Sequence, residues 1–393
     1  MANLFYTRYL KPPPTIVTAG KPFNIVWTVA NDLGEISYWQ PLTICCRLIP
    51  AATSSSSPKT ATHLTLQHHG SSPASKKKSL CNMVELQYDP VKGGGVMTTS
   101  LVVSGSSAGS RTVGSNSNSV TFQLVLELAG SQYIEHPVWT RARLLKSQYD
   151  DDDDDDAWVI PVFSLPVHLA TSSQQHGKSS SVRDYERRVT IKNYSNDANS
   201  TKPQQHIIRI HEDASPSIGS HIWDCGMLMC QYLAEQQYQQ QQPHFDRILE
   251  LGSGTAIAGI YAAHMLNPSI IYLTDLDDTV PTVRHNVSLQ QHKAQSEKSI
   301  VVEELEWGQT DISNKCVNLV LLTDVLYNPA FHDALIDTLS KLVETNPKLK
   351  VLLGYKPRDQ GEERTFFDKI GKLGWQWQMS LLPPAEIYWI SKQ

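Results

Sequence analysis

The sequence predicts two folded units of different class: an all-β, sandwich-like domain over residues 1–170 and an α/β domain with a mainly parallel sheet over 183–393, joined by a linker at 171–182. Three observations carry that division. In the first half, apolar residues recur at every second position in short runs, as in Phe23, Ile25, Trp27 and Val29, which is the period of a strand with one buried face. In the second half, short apolar runs alternate with segments of helical length, the pattern of parallel strands covered by helices. The stretch between them is polar and rich in Ser and Gln, a linker composition.

The first unit offers the strands ISYWQPLTICCRLI, ATHLTLQ, MVELQYD, VMTTSLVV, VWTRARLL and WVIPVFSLPVHL beside the runs at Phe23 and Phe122. Short strands with turn-rich separators suggest an antiparallel sandwich, and Pro161 and Pro166, which cannot donate to a ladder, suggest an edge position for the last strand. Its loops are of low complexity: serines at 54–57, glycines at 93–95, a Ser/Gly/Asn stretch at 104–119 and aspartates at 150–156. No catalytic constellation stands out there.

The second unit opens with VTIKNY and HIIRIHED, a hairpin, and IWDCGMLMCQYLAEQQ, a helix running into a glutamine tract at 239–242. Strand RILEL, helix TAIAGIYAAHML, strand IIYLTD, helix VPTVRHNVSLQQH and strands IVVEELEW and VNLVLLTD follow. Helix FHDALIDTLSKLVE, strand KVLLGY, helix EERTFFDKIGKL and the closing strands WQWQMS and EIYWISK complete it. The result is a seven-strand sheet whose last two strands have no helix between them, a departure from a plain doubly wound fold.

Composition narrows the function classes. With 34 Lys and Arg against 39 Asp and Glu in 393 residues the net charge is -5, so no basic bias points to nucleic acid. The charge is unevenly placed: residues 1–180 carry 14 basic and 13 acidic side chains and residues 181–393 carry 20 and 26. Six cysteines without CxxC or regular spacing argue against a zinc site or a disulfide framework, and no metal is expected. The first residues lack a signal-peptide run and nowhere do about 18 apolar residues follow one another, so no membrane partner is expected. Cytoplasm is the expected compartment, with a nuclear pool compatible.

The chemistry-bearing signal is Glu250-Leu-Gly-Ser-Gly-Thr-Ala-Ile-Ala-Gly259, placed after a strand and opening a helix. Gly252 and Gly254 allow a tight turn and close approach of a ligand to the backbone, and the helix start offers free N–H groups. Strand IIYLTD ends in Asp275, 23 residues beyond Gly252, where a carboxylate can accept from both hydroxyls of a ribose. The spacing GxGxxxxG differs from the GxGxxG of dinucleotide folds. Glu250 two residues before the first glycine suits the amino acid end of S-adenosylmethionine (SAM) better than a pyrophosphate.

On these residues the chain resembles the seven-strand, Rossmann-like SAM-dependent methyltransferases of the group that methylates protein lysines, marked by Asp-x-x-Tyr after the fourth strand. Residues 183–393 carry the resemblance. Ile222-Trp-Asp-Cys-Gly226, Glu250-Leu-Gly-Ser-Gly-Thr255, Thr274-Asp-Leu276, Leu305-Glu-Trp-Gly308 and Thr323-Asp-Val-Leu-Tyr327 match that group's motifs in order. It implies that Trp223, Glu250, Gly252, Ser253, Gly254, Asp275, Trp307 and Thr323 bind SAM, and that Asp324 and Tyr327 are catalytic, facing the acceptor amine of a non-histone protein with an accessible lysine. Ala256 departs from the group's usual glycine and Thr323 from its small alanine, so the cofactor packing is expected to adjust.

Plainer readings stand beside these. Trp223 and Trp307 also suit a core, Asp224 an early helix turn favoured by the dipole, Asn286 a packing or capping role, and Asp277 and Asp278 a solvated helix start. Tyr355 and Lys356 end the fifth strand on the ligand side. A nucleic acid substrate is disfavoured, because Asp324-Val-Leu-Tyr327 stands where an N/D-P-P-Y/F motif would be. Two alternatives remain open: an arginine or small-molecule methyltransferase, and a SAM-binding adaptor whose β-domain, with a partner of its own, is the working part.

Overall fold

A computed structural model describes residues 3–51, 64–69, 82–105, 120–129, 143–145, 157–170, 184–193, 204–213, 218–238, 244–290, 299–382 and 384–392. The linker expected at 171–182, the aspartate run, the glutamine tract, the serines at 54–57 and nearly all of 104–119 lie outside the described residues.

The first unit is built from β1 (Asn3–Lys11), β2 (Ile16–Thr18), β3 (Pro22–Ala30), β4 (Leu42–Pro50), β5 (Leu64–His68), β6 (Met83–Tyr88), β7 (Met97–Gly105), β8 (Val120–Leu128), β9 (Arg143–Leu145), β10 (Ala157–Ile160), β11 (Val162–Ser164) and β12 (Val167–Ala170). One sheet runs β5-β7-β3-β1-β10-β9. Between the sheets lies an apolar core that includes Phe5, Tyr9, Trp27, Ile44, Tyr88, Phe122 and Leu124, contributed by the alternate positions of the strand pattern. Most pairs are antiparallel, but β1 with β10 and β12 with β2 are parallel.

WVIPVFSLPVHL is not an edge strand. It divides at Pro161 into β10, which lies between β1 and β9 in one sheet, and β11, which pairs with β8 in the other. A residue without an N–H is tolerated where the chain leaves one ladder for the next, and that corner is what the proline marks.

The hairpin β13 (Tyr185–Asn193) and β14 (Gln204–Glu212) forms in full register from Tyr185 opposite Glu212 to Asn193 opposite Gln204. β13 also pairs with β11, so the second sheet reads β14-β13-β11-β8-β12-β2, with β4 bonded to β8 and β6 to β4. One face of the hairpin, Val189, Ile191, Ile208 and Ile210, packs in a common core with Tyr6, Ile160 and the helices that follow. The opposite face carries Glu186, which accepts from Arg188 at 2.6 Å and from Arg209 at 3.0 and 2.5 Å.

The second unit consists of α1 (Asp224–Tyr238), β15 (Arg247–Leu251), α2 (Ile257–Met265), β16 (Ile270–Asp275), α3 (Val280–Ser288), β17 (Ser299–Glu304), β18 (Leu319–Thr323), α4 (His332–Thr345), β19 (Lys350–Tyr355), α5 (Gln360–Glu363), α6 (Thr365–Lys372), β20 (Trp375–Leu382) and β21 (Ala385–Lys392). Its sheet has the expected seven strands, ordered β17-β16-β15-β18-β19-β21-β20, with β17 to β19 parallel and the last two antiparallel. The central strands are near-continuous apolar runs because helices cover both faces, and α2 is buried from Ile257 to Ala263 for the same reason. Strand order reverses between β15 and β18, and the carboxyl ends there open the crevice in which ligands of such sheets bind.

Candidate active site

That crevice is a cavity of about 670 Å³, and all ten residues singled out from the sequence line it: Trp223, Glu250, Gly252, Ser253, Gly254, Asp275, Trp307, Thr323, Asp324 and Tyr327. Gly252 and Gly254 have φ of +69° and +53°, the left-handed region that glycine enters without a Cβ penalty. A Cβ on Gly252 would stand 3.0 Å from Val325 and 3.2 Å from Trp307, so the glycine lets both side chains approach the turn closely. Ala256, at the position of the missing glycine, takes φ +60° and is fully buried at the start of α2.

The turn is tied to the neighbouring strand. Gly254 N–H donates to Asp275 Oδ2 at 2.8 Å, Leu276 N–H donates to Oδ1 at 2.8 Å, and Thr274 N–H donates to the Ser253 hydroxyl at 3.1 Å. Each Asp275 oxygen thereby uses one acceptor position and keeps another, so the carboxylate can still receive two hydroxyls. Burial pushes the Asp275 carboxyl up, opposed by those two amides.

Glu250 is 1% exposed. Its Oε1 accepts from Gly259 N–H at 3.0 Å, while Oε2 is buried without a partner. Burial, opposed by bonds from Ser253 and Gly259, pushes its carboxyl up to about 8. A buried acceptor at the mouth of a glycine turn fits a group that brings a positive charge, as the amino acid end of SAM does. The Thr323 hydroxyl is likewise buried and unpartnered on the cavity wall. A buried acid with one unpartnered oxygen, a two-acceptor carboxylate and a tryptophan against the glycine turn together suit the amino acid, ribose and base of that cofactor.

At the other end of the cavity Asp324 follows β18 at φ +61°, its N–H donating to Gly354 O at 2.8 Å. It is 7% exposed and is gripped by Arg358 through Nη1 to Oδ1 at 2.9 Å and Nη2 to Oδ2 at 2.6 Å, a bidentate fork. Tyr327 stands beside it, 49% exposed at the mouth, with its phenol pushed up first by burial and then by the charges of Asp275 and Asp324. Arg358 lies 5.5 Å over the Trp223 ring, and Trp223 Nε1 donates to Ile218 O at 3.1 Å. Trp223 thus walls the cavity and does not sit in a core.

Behind this end lies a charged cluster in which the sequence reading named Asp224 only as a first-turn acid and Lys356 only as the end of the fifth strand, and passed over Asp32 and Arg358. Asp224 is 1% exposed and accepts from Tyr6 of β1 at 2.7 Å and from Lys356 at 2.7 Å. Lys356 also donates to Asp32 Oδ1 at 2.9 Å, and Arg358 Nη2 reaches Asp32 Oδ2 at 3.4 Å. Asp32, in the turn after β3, is held through its carbonyl by Arg8 at 2.6 Å. Burial and the charge of Asp32 push the Asp224 carboxyl up to about 6, against the pull of Lys356 and Tyr6. Lys356 and Arg358 are both held above their ordinary values, because the surrounding carboxylates outweigh burial.

Two other residues turn out to be structural. Asn286 is fully buried and bridges Thr255 O, His211 O and His211 N–H. The Tyr355 hydroxyl donates to Glu363 at 2.7 Å.

Residues 202–373 match the lysine methyltransferase family. Protein-lysine N-methyltransferase EFM6 of Saccharomyces cerevisiae is 28% identical over 187 residues, covering 42% of this chain and 74% of that protein. EEF1A lysine methyltransferase 3 of Xenopus tropicalis is 28% identical over 161 residues, 41% of this chain and 67% of that one. UPF0665 family protein C23C4.06c of Schizosaccharomyces pombe is 30% identical over 169 residues, 42% of this chain but only 49% of its own length, so the chain spans about half of that relative. The lysine methyltransferase match contains the glycine turn, Asp275, Trp307, Asp324, Tyr327 and Arg358, and leaves β1 to β13 outside it.

Proposed function

We propose that the chain transfers a methyl group from SAM to the side-chain amine of a lysine in a protein. The observation that carries this reading is the single cavity on whose walls the glycine turn, Asp275 and Trp307 stand with Asp324 and Tyr327, inside the stretch that matches the lysine methyltransferase family. When bound, SAM supplies an electrophilic methyl on a sulfonium. Glu250, Asp275, Trp307 and the turn at Gly252 hold the donor, and Trp223 and Tyr327 exclude water and aim the acceptor. The amine lone pair forms the new carbon–nitrogen bond as the carbon–sulfur bond breaks with its pair going to sulfur, and the methylated ammonium returns a proton to water. The acidic second half of the chain suits a cationic protein acceptor. Buried cysteines that form no disulfide, such as Cys46, Cys225 and Cys230, fit a reducing compartment, for which we take the cytoplasm. No helix among the described residues is long and apolar enough to cross a membrane.

The test is tritiated SAM with a cell lysate and the pure full chain, followed by acid hydrolysis and amino acid analysis. Label in methyl-lysine is expected. Label in methyl-arginine or in small molecules would replace the reading with another transferase, and SAM binding without any transfer would replace it with an adaptor.

A further inference from the structure

A lysine side chain has a pKa of about 10.4, and only its neutral form can attack the methyl group. Asp324 alone works against that, since a carboxylate beside an amine favours the ammonium. The structure does not leave Asp324 alone: both of its oxygens are forked by Arg358, whose guanidinium also meets the Trp223 ring, Asp32 and the Lys356 carbonyl. Asp32 comes from the β-domain, 326 residues away in sequence from Arg358.

We propose that Arg358 is a positioning residue for the acceptor lysine: it offsets the charge of Asp324 so that the lysine is held there as a neutral amine, and Asp32 of the β-domain opposes Arg358 and so sets how much of that offset reaches the amine. This rests on the lysine methyltransferase reading and adds to it a control of the acceptor site by the amino-terminal unit.

The arrangement argues for an electrostatic role over a structural one. Buried ion clusters add little net stability, because desolvation offsets the attraction, so joining two units through Asp32, Lys356, Asp224, Arg358 and Asp324 is a poor way to gain stability alone. It is an effective way to fix a field at one point, and that point is the wall of the cavity. The charged and titratable groups facing the cluster include Tyr6 and Arg8 from β1, Asp32 from the turn after β3, Arg187 from β13 over the Tyr6 ring with its partner Glu212 from β14, Asp224 and Cys225 from α1, Asp324 and Tyr327 after β18, Lys356 and Arg358 after β19, and Glu363 from α5, which accepts from Arg358 N–H. Of these, the Asp224 carboxyl is pushed up to about 6 by burial and Asp32, and the phenols and thiol are pushed upward. With SAM saturating, so that its cationic end keeps Glu250, otherwise pushed up to about 8, ionised throughout, a window from about pH 7 to 9.5 therefore reads the acceptor amine.

The experiment measures initial rates of methyl transfer from tritiated SAM to lysate protein, at saturating lysate, with full-length wild type, Arg358→Met, Arg358→Lys and Asp32→Asn. Thermal melts and SAM titrations on each variant establish folding and cofactor binding. Removing the cation in Arg358→Met is expected to move the pH–rate profile upward by about one unit, a roughly tenfold loss at pH 7 that alkaline pH recovers. Removing the anion in Asp32→Asn is expected to move it downward by a smaller amount, and Arg358→Lys to stay near wild type because the charge remains. Shifts of opposite sign at unchanged SAM affinity support the proposal. Equal losses in both charge-removing variants at every pH, or a gain of rate at pH 7 in Arg358→Met, overturn it, the latter because Arg358 would then be a lock on Asp324. Wild-type protein that labels no lysine overturns the underlying functional reading, an outcome distinct from either.

Discussion

Replacing Asp275 with alanine probes the cofactor end of the cavity most directly. Two bonds from ribose hydroxyls to a charged acceptor are worth about 1.5–3 kcal/mol each, and with incomplete additivity their loss should weaken SAM binding by about 2–4 kcal/mol, roughly 30- to 1000-fold. The structure adds a second consequence. The same carboxylate accepts Gly254 N–H and Leu276 N–H, both at 2.8 Å, so alanine also removes one of the ties between the glycine turn and β16, the bonds between Ser253 and Thr274 remaining. Each amide left without a partner costs about 1–3 kcal/mol where it is buried, so the melting temperature should fall together with affinity. Asp275→Asn separates the two effects: one oxygen remains to hold an amide, and the melt should recover more than the binding does. Asp277, exposed two residues later, is the control, and its alanine variant should bind like wild type. Calorimetric titration of SAM and of its demethylated product into the full chain gives the numbers. Affinity within threefold of wild type in folded Asp275→Ala, or a larger loss in Asp277→Ala, would refute the placing of ribose at the end of β16.

Gly252→Ala should weaken SAM binding at least tenfold, because a left-handed backbone with a Cβ costs about 1–2 kcal/mol and that Cβ would press on Val325 and Trp307; titration beside a thermal melt shows it. Glu250, pushed up to about 8 by burial, contributes stability that is fully present below its unfolded value and is lost as pH rises through 8, so the protein without cofactor should melt lower at pH 8 than at pH 5 on this account, and Glu250→Gln should flatten the trend. A cationic ligand end beside it should expel its proton, so SAM binding at pH 7 should release a proton in wild type and not in Glu250→Gln, as calorimetry in two buffers of different ionisation heat reads. Tyr327→Phe should keep SAM affinity within a few-fold and slow methylation, since the half-exposed ring stands at the mouth; equal losses of binding and transfer would place it in the cofactor end instead.

What could be read from the sequence was what is local. The glycine turn, the acid ending β16 and the seven strands follow from spacing over a few tens of residues, and the structure brings every residue picked on that basis to one cavity. Asp224 looked like a first-turn acid because its partners Tyr6 and Lys356 lie 218 and 132 positions away, where no periodicity can reveal them. Arg358 follows a proline after β19 and belongs to no spacing that singles it out. Pro161 satisfies the same rule, the absence of a donor, at a sheet edge or at a corner between sheets, and only the packed structure distinguishes the two. The hairpin β13–β14 was legible as a hairpin, but its pairing with β11 depends on an edge made elsewhere in the chain.

The two ends of the cavity are therefore held by different means. At the cofactor end backbone amides and a glycine turn do the holding, all within residues 250–276. At the acceptor end side-chain charges from the turn after β3, the start of α1, the end of β18 and the segment after β19 must meet. The hydrogen bonds of the first arrangement draw on no residue of β1 to β12, and those of the second do. Cutting the chain before β13 would uncover the hairpin and helix residues that share a core with Tyr6 and Ile160, besides removing Asp32 from Lys356 and Arg358. A truncated protein with altered activity would thus confound a damaged core with a changed field. Asp32→Asn changes the charge by one while keeping the shape, so a profile that moves with an unchanged melt can be assigned to the field alone.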